Sequence, residues 1–359
     1  MKIGILTSPL KSNYGGILQN WALQQVLIKL GHKPITIDVY PHPGIKIFIL
    51  STIKSILLWF IPSHRRKFTR WNGERSSLFD NFVRERIVTS HLCRYYTMSI
   101  VKEYELDALI VGSDQVWRPR YNVRTLPDMF LRFAHSFKGR KIAYAASFGV
   151  NNWEFSKGQT SLCATLVKQF DAISVRESSG VDLCEKYLGV NAISVLDPTL
   201  LLAKDEYAKL CEEIPICNER FLAVYVLDPK KDVEDIIKEE AKKRGLAIKY
   251  FSADRNANLK VEEWLAIFRD ASFVVTDSFH GTIFSAKYAK KFAVIVRPSN
   301  ENKLEDLLEK LNIIDHKVVF INQLNDIYKK EHDLQMMHRI EKRERDKAIQ
   351  YLKNAINRN

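Results

Sequence analysis

One histidine in this chain stands in a setting suited to proton transfer. In Phe273-Val-Val-Thr-Asp-Ser-Phe-His-Gly-Thr-Ile-Phe-Ser285 a short apolar run, Phe273 to Thr276, breaks into a polar turn. After Gly281 the apolar spacing at Ile283, Phe284 and Ala286 becomes helical. His280 therefore falls on a strand-to-helix turn, near backbone N–H groups that a helix start leaves unpaired and that favour anions. A histidine beside an anion exchanges protons near neutral pH, because its free pKa is about 6.5. Gly281 leaves space for close approach of a ligand, Ser278 lies in the same turn, and Asp277 is placed to orient the ring. The competing reading is structural: Asp277 caps the helix and His280 bonds a neighbouring carbonyl.

Other polar residues gather at the carboxyl ends of predicted strands, where open parallel sheets bind ligands. Asn13-Tyr14-Gly15-Gly16 is a glycine turn between strand and helix that admits a phosphate or sugar near the backbone, or is simply a tight turn. Gln19, one helical turn later, is a candidate to face the same space. Gly112-Ser113-Asp114-Gln115 follows a buried run; Asp114 suits a base for a hydroxyl and Gln115 suits a sugar, unless Asp114 only caps a local turn. Arg176 ends another run. Its planar fork suits a phosphate or carboxylate, the alternative being an ion pair with an acid. No D-x-D pair, no metal-spaced histidine–carboxylate cluster and no G-x-S-x-G elbow occurs, so neither a catalytic metal nor an α/β-hydrolase is expected.

The elements that must position these residues alternate between strand and helix. Predicted strands are Ile3–Leu6, Ile35–Val39, Ala108–Val111, Lys141–Ala146, Ala172–Val175, Ala192–Leu196, Phe221–Val226, Ala247–Phe251, Phe273–Thr276 and Phe292–Val296. Such alternation predicts parallel sheets built from βαβ units. Residues 1–205 are expected as an N-terminal α/β domain with a variable helical excursion at 41–105. Residues 206–330 are expected as a C-terminal α/β domain, and 331–359 as one long amphipathic helix. At 359 residues the chain exceeds a typical single core.

The formal net charge of +13 favours acidic partners. Nucleic acid is the weakest candidate, since no finger, homeodomain or RNA-binding aromatic signature is present. Five scattered cysteines form no C-x-x-C pair, which fits a reducing cytoplasm. The first strand is expected to open at Lys2 without a leader. The apolar stretch from Ile45 to Pro62, followed by Arg65, Arg66, Lys67 and Arg70, suits either an interfacial helix on a membrane or a helix packed on its own domain.

Taken in order, these segments resemble the polysaccharide pyruvyl transferase family. The match runs through Asn13-Tyr-Gly-Gly16 with Leu18-Gln19, Val111-Gly-Ser-Asp-Gln-Val-Trp117, Ala145-Ala-Ser-Phe-Gly149, Ser174-Val-Arg-Glu177, Leu196-Asp-Pro-Thr-Leu200 and Thr276-Asp-Ser-Phe-His-Gly281. It covers residues 1 to about 300 and is weak over 41–105. The resemblance implies two Rossmann-like domains facing a cleft, in a glycosyltransferase-B-like fold with the donor on the C-terminal side and the acceptor on the N-terminal side. It implies transfer of pyruvate from phosphoenolpyruvate, as co-substrate and with no further cofactor, onto a glycan or lipid-linked oligosaccharide. His280 then matches the family's acid–base histidine and Arg176 an arginine associated with the donor. Many members carry an arginine two residues before the histidine; this chain has Ser278. The rival expectations are a glycosyltransferase using a nucleotide sugar and a non-catalytic binder of glycans or phosphates.

Overall fold

The computed structural model describes residues 1–11, 13–40, 75, 77–227, 230–251, 259–331 and 333–357. Its strands form two sheets. The first contains β1 (Lys2–Leu6), β2 (Lys33–Thr36), β3 (Ala108–Val111), β4 (Arg140–Ala146), β5 (Ala172–Val175) and β6 (Ile193–Ser194), in the order β2-β1-β3-β4-β5-β6. The second contains β7 (Phe221–Tyr225), β8 (Ala247–Tyr250), β9 (Phe273–Thr276), β10 (Lys291–Ile295) and β11 (Lys317–Val318), in the order β11-β10-β9-β7-β8. Every pairing is parallel. The central strands read as continuous apolar runs because both faces are covered: all four residues of β3 and of β9 are buried.

Three departures from the predicted strands stand out. The strand expected at Ile35–Val39 lies earlier, at Lys33–Thr36, where it pairs with β1 from Lys33 on. The other two have local causes. The run Ala192–Leu196 pairs only through Ile193 and Ser194, at the sheet edge, before Asp197 caps a short turn at Pro198–Leu200. β11 has two residues, too few for any periodicity to show.

In each sheet the order reverses once, between β1 and β3 and between β7 and β9; the carboxyl ends of the strands at such a reversal are where open parallel sheets bind ligands. Five helices bear on that region: α1 (Tyr14–Lys29), α2 (Val261–Asp270), α3 (Phe279–Lys287), α4 (Glu301–Lys310) and α5 (Leu334–Asn357). α1 follows β1 and α3 follows β9, so each starts beside a reversal point.

The two halves share one apolar cluster. Tyr14 of α1 stacks on Trp264 of α2 with ring centres 5.1 Å apart. Tyr207 bridges Trp21 at 5.5 Å and Phe284 at 5.0 Å. α5 ties both halves together. Its Glu341 pairs with the buried Lys287 of α3 at 2.6 Å, and further on the Ala355 carbonyl accepts from Arg140 of β4 at 3.1 Å. Among the described residues no helix is long and apolar enough to cross a membrane, and no group of three or more His, Cys, Asp or Glu side chains gathers to hold a metal. The stretch 45–70, expected against a membrane or its own domain, lies outside the described residues.

Candidate active site

The two reversal points meet at His280. Ser278 caps α3, its side chain accepting from the Gly281 N–H at 3.3 Å, and His280 is the second residue of the helix. Opposite stands the start of α1, capped by Asn13, whose side chain accepts from the Gly16 N–H at 3.2 Å. The ring packs on Gly15 so closely that a Cβ there would collide with His280 Nδ1. Gly15 is thus the opening through which the backbone of one domain touches the histidine of the other. Nε2 points the other way. It is buried, has no hydrogen-bond partner among the described residues, and lies 3.8 Å from Oδ2 of Asp197, an ion-pair approach longer than a hydrogen bond.

Asp197 belongs to the N-terminal domain and is 1 % exposed. Its Oδ1 accepts from the Thr199 N–H at 3.0 Å and the Thr199 hydroxyl at 2.7 Å. Its Oδ2 accepts from Ser113 Oγ at 3.1 Å and Arg176 Nη1 at 3.4 Å. Burial alone would raise its pKa, but His280, Arg176 and the Thr199 amide outweigh it and hold the carboxyl well below the usual carboxylate range.

The expectation that Asp277 orients the ring is therefore replaced. Asp277 Oδ1 accepts from the Leu227 N–H at 2.7 Å and Oδ2 lies 3.4 Å from Arg297 Nη1, so the carboxylate faces its own domain. Ser278 takes the capping role instead. Gly281 does not leave space for a ligand either. A Cβ there would collide with Thr276 Oγ1 and lie 3.1 Å from the Tyr225 ring. The absent side chain is filled by the domain's own core.

Arg176 is 3 % exposed and its donors are engaged. Nε donates to Glu177 at 2.9 Å, Nη2 to Ser147 Oγ at 3.1 Å, and the guanidinium lies 4.2 Å from the centre of the Phe279 ring in the other domain. A desolvated contact of that last kind contributes about 2 kcal/mol. The ion pair with Glu177 that the sequence left open is formed, and in this conformation Arg176 holds Asp197 in place beside His280.

The remaining predicted residues divide into braces and lip. Gln19 is fully buried. Its Nε2 donates to Thr7 Oγ1 at 2.8 Å and its Oε1 accepts from the Ser113 N–H at 3.1 Å, which joins the loops after β1 and β3. Tyr14 donates its hydroxyl to the Leu259 carbonyl at 2.7 Å and so braces the two domains. Gln115 accepts from Arg118 at 3.0 Å. Asp114, held at φ +68°, is half-buried, and no hydrogen bond to its carboxylate is found among the described residues.

Two residues received no role from the sequence. Asp197 ends a strand in a Leu-Asp-Pro-Thr run, a signal of position but not of partner. Lys303 sits on α4 where its spacing with Asp306 and Lys310 looks like an ordinary solvated face. Its half-buried ammonium interacts electrostatically with Arg176, Asp114, Glu177 and Asp277.

Comparison with known proteins bears on the whole arrangement. A search of curated proteins gave no match. Among solved structures, a UDP-GlcNAc 2-epimerase from Neisseria meningitidis bound to UDP-GlcNAc is similar over 98 % of this chain and 100 % of its own, at 12 % identity and a TM-score of 0.51. The S. aureus protein MnaA, solved with UDP, is similar over 95 % and 90 % of the two chains, also at 12 % identity and 0.51. At that identity the likeness establishes the fold: two Rossmann-like domains around a cleft, in the glycosyltransferase-B manner. The model for "Polysaccharide pyruvyl transferase" matches residues 13–300, a span that holds Asn13 at the start of α1, Asp114, Arg176, Asp197 and His280. The chain belongs to the polysaccharide pyruvyl transferase family and is a transferase.

Proposed function

We propose that this protein transfers the pyruvyl group of phosphoenolpyruvate onto two hydroxyls of one sugar, forming a cyclic ketal on a cell-surface polysaccharide or a lipid-linked precursor of one. The observation that carries this reading is the placement of His280 where two strand-order reversals meet, with a buried carboxylate on one ring nitrogen and the start of α1 at the other. With Asp197 facing Nε2, the nitrogen left for proton transfer is Nδ1, on the Gly15 side. This is the division of labour of a carboxylate–histidine pair: one side orients and steadies the imidazolium, the other exchanges the proton.

The steps follow. His280 delivers a proton to the methylene carbon of phosphoenolpyruvate, and C2 becomes oxocarbenium-like. A sugar hydroxyl adds to C2 while Asp114 takes its proton. Phosphate leaves with the electrons of the C2–O bond and carries off the proton that Asp114 holds. The second hydroxyl closes the ring, and its proton returns to His280. The ring is only 8 % exposed, so substrates enter by a parting of the domains at the Gly15–His280 contact.

The test is release of phosphate from phosphoenolpyruvate in the presence of lipid-linked oligosaccharide pools, with products weighed by mass spectrometry and UDP-sugars offered as competing donors. His280→Gln keeps size and hydrogen bonding but shuttles no proton. Turnover per folded molecule should fall by about 10² or more, with donor binding largely retained. Near-normal turnover in that variant would sink the assignment. Transfer from a UDP-sugar without phosphate release from phosphoenolpyruvate would favour a glycosyltransferase.

A further inference from the structure

α4 lays one face along the N-terminal domain: Lys303, Asp306 and Lys310, at the i, i+3 and i+7 spacing of a helix stripe. The two later members are paired across the cleft. Lys310 Nζ donates to the Arg176 carbonyl, to Ser194 Oγ and to Asp306 Oδ2, each at 2.6 Å. Asp306 Oδ1 accepts from the Ser178 N–H at 2.8 Å. Lys303, at the start of the stripe, makes no hydrogen bond or ion pair among the described residues.

The charges around Lys303 come from both domains: Arg176, Asp114, Glu177 and Asp277. Three of these are already satisfied. Arg176 and Glu177 hold one another at 2.9 Å, and Asp277 faces Arg297 at 3.4 Å. Asp114 is not. The cleft therefore holds a cation on its C-terminal side and a carboxylate on its N-terminal side that sense one another without closing into an ion pair. Burial, and then the Arg176 charge, push the Lys303 ammonium below the usual lysine range, and the three acids offset this only in part. A half-buried ammonium in that state is stabilised by an arriving anion. Ser278, meanwhile, serves as a helix cap and brings no cation to the donor.

We propose that Lys303 holds the anionic group of the donor, and that Asp114 faces it from the acceptor side, so that the two substrates fill the gap between these charges. The ligand class is a small molecule bearing a phosphate or carboxylate, for which an ammonium with three donors is suited. The donor's identity rests on the pyruvyl-transfer reading; the assignment of Lys303 rests on its place in the α4 stripe that faces the N-terminal domain and on the charges around it.

The experiment titrates the full chain with inorganic phosphate, phosphoenolpyruvate and UDP, comparing the parent with Lys303→Met, Lys303→Arg and Asp114→Asn. Lys303→Met should weaken binding of at least one of these anions about tenfold or more. Its melting temperature should stay at the parent's value, because no internal bond is lost. Lys303→Arg should keep most of the affinity, and Asp114→Asn should leave anion binding unchanged or tighter. Lys303-dependent binding of inorganic phosphate or UDP but not of phosphoenolpyruvate upholds the lysine and sinks the pyruvyl donor. An unchanged Kd in Lys303→Met overturns the proposal, as does a parent that binds none of the three. A large loss of anion binding in Asp114→Asn overturns the opposed arrangement.

Discussion

Asp197 gathers Ser113, Thr199, Arg176 and His280 around one buried carboxylate, and its charge is what those four groups have in common. Among the described residues, removing it leaves Arg176 with Glu177 as its one ion-pair partner and the histidine with no ion-pair partner. Breaking one partner of a buried ionic network costs about 3–5 kcal/mol, so Asp197→Asn should be destabilised by that order at neutral pH. The pH dependence has a definite sign. The folded pKa is depressed, so the carboxylate's contribution is present in full above its unfolded pKa of about 3.9 and is lost as pH falls from there toward the folded value. Urea denaturation of parent and variant across a pH series should show a gap that is constant above about pH 5 and narrows in more acidic solution. A gap that stays the same into strong acid would mean that shape, not charge, is what the variant loses. The sequence showed that Asp197 ends a strand and that Asp277 is the histidine's neighbour in the chain. The neighbour turned out to face away.

At the scale of elements, the alternation of strands and helices was legible because apolar runs and helical spacing are local properties. The edge strands were not: β6 and β11 pair through two residues each, and nothing in two residues is periodic. The long C-terminal helix was legible as an amphipathic pattern, but its role was not. Its Glu341 meets Lys287, whose ammonium is 2 % exposed as a residue and also donates to the Leu202 carbonyl at 2.7 Å. Lys287→Met strands Glu341 without a counter-charge and should cost about 3–5 kcal/mol, whereas Lys287→Met with Glu341→Leu should recover most of it, because the two charges disappear together. Chemical denaturation of the three proteins measures both. If the double variant is as unstable as the single one, the pairing is not the source of the loss.

At the scale of the whole molecule, the excess of +13 favours an anionic partner. Arg65, Arg66, Lys67 and Arg70 follow an apolar stretch in the sequence, and each basic side chain near an anionic leaflet is worth about 1 kcal/mol. Replacing all four by Gln should release the protein from anionic vesicles and leave turnover on a soluble acceptor intact; a parent protein that ignores such vesicles at low salt refutes the idea. The sequence by itself determined the class of fold, the family, and the position of His280 at a strand-to-helix turn, since each is written in residues close together along the chain. Only the tertiary structure decided which carboxylate stands beside the histidine, why Gly15 carries no side chain, and which charges of the two domains surround Lys303. Those facts depend on how one sheet is set against the other. Several acids and several cations end strands or line helices in this chain, and local pattern treats them alike. The packing of the two domains around Tyr207 brings Asp197, rather than the others, beside His280, and the packing along α4 sets Lys303 among charges of both domains.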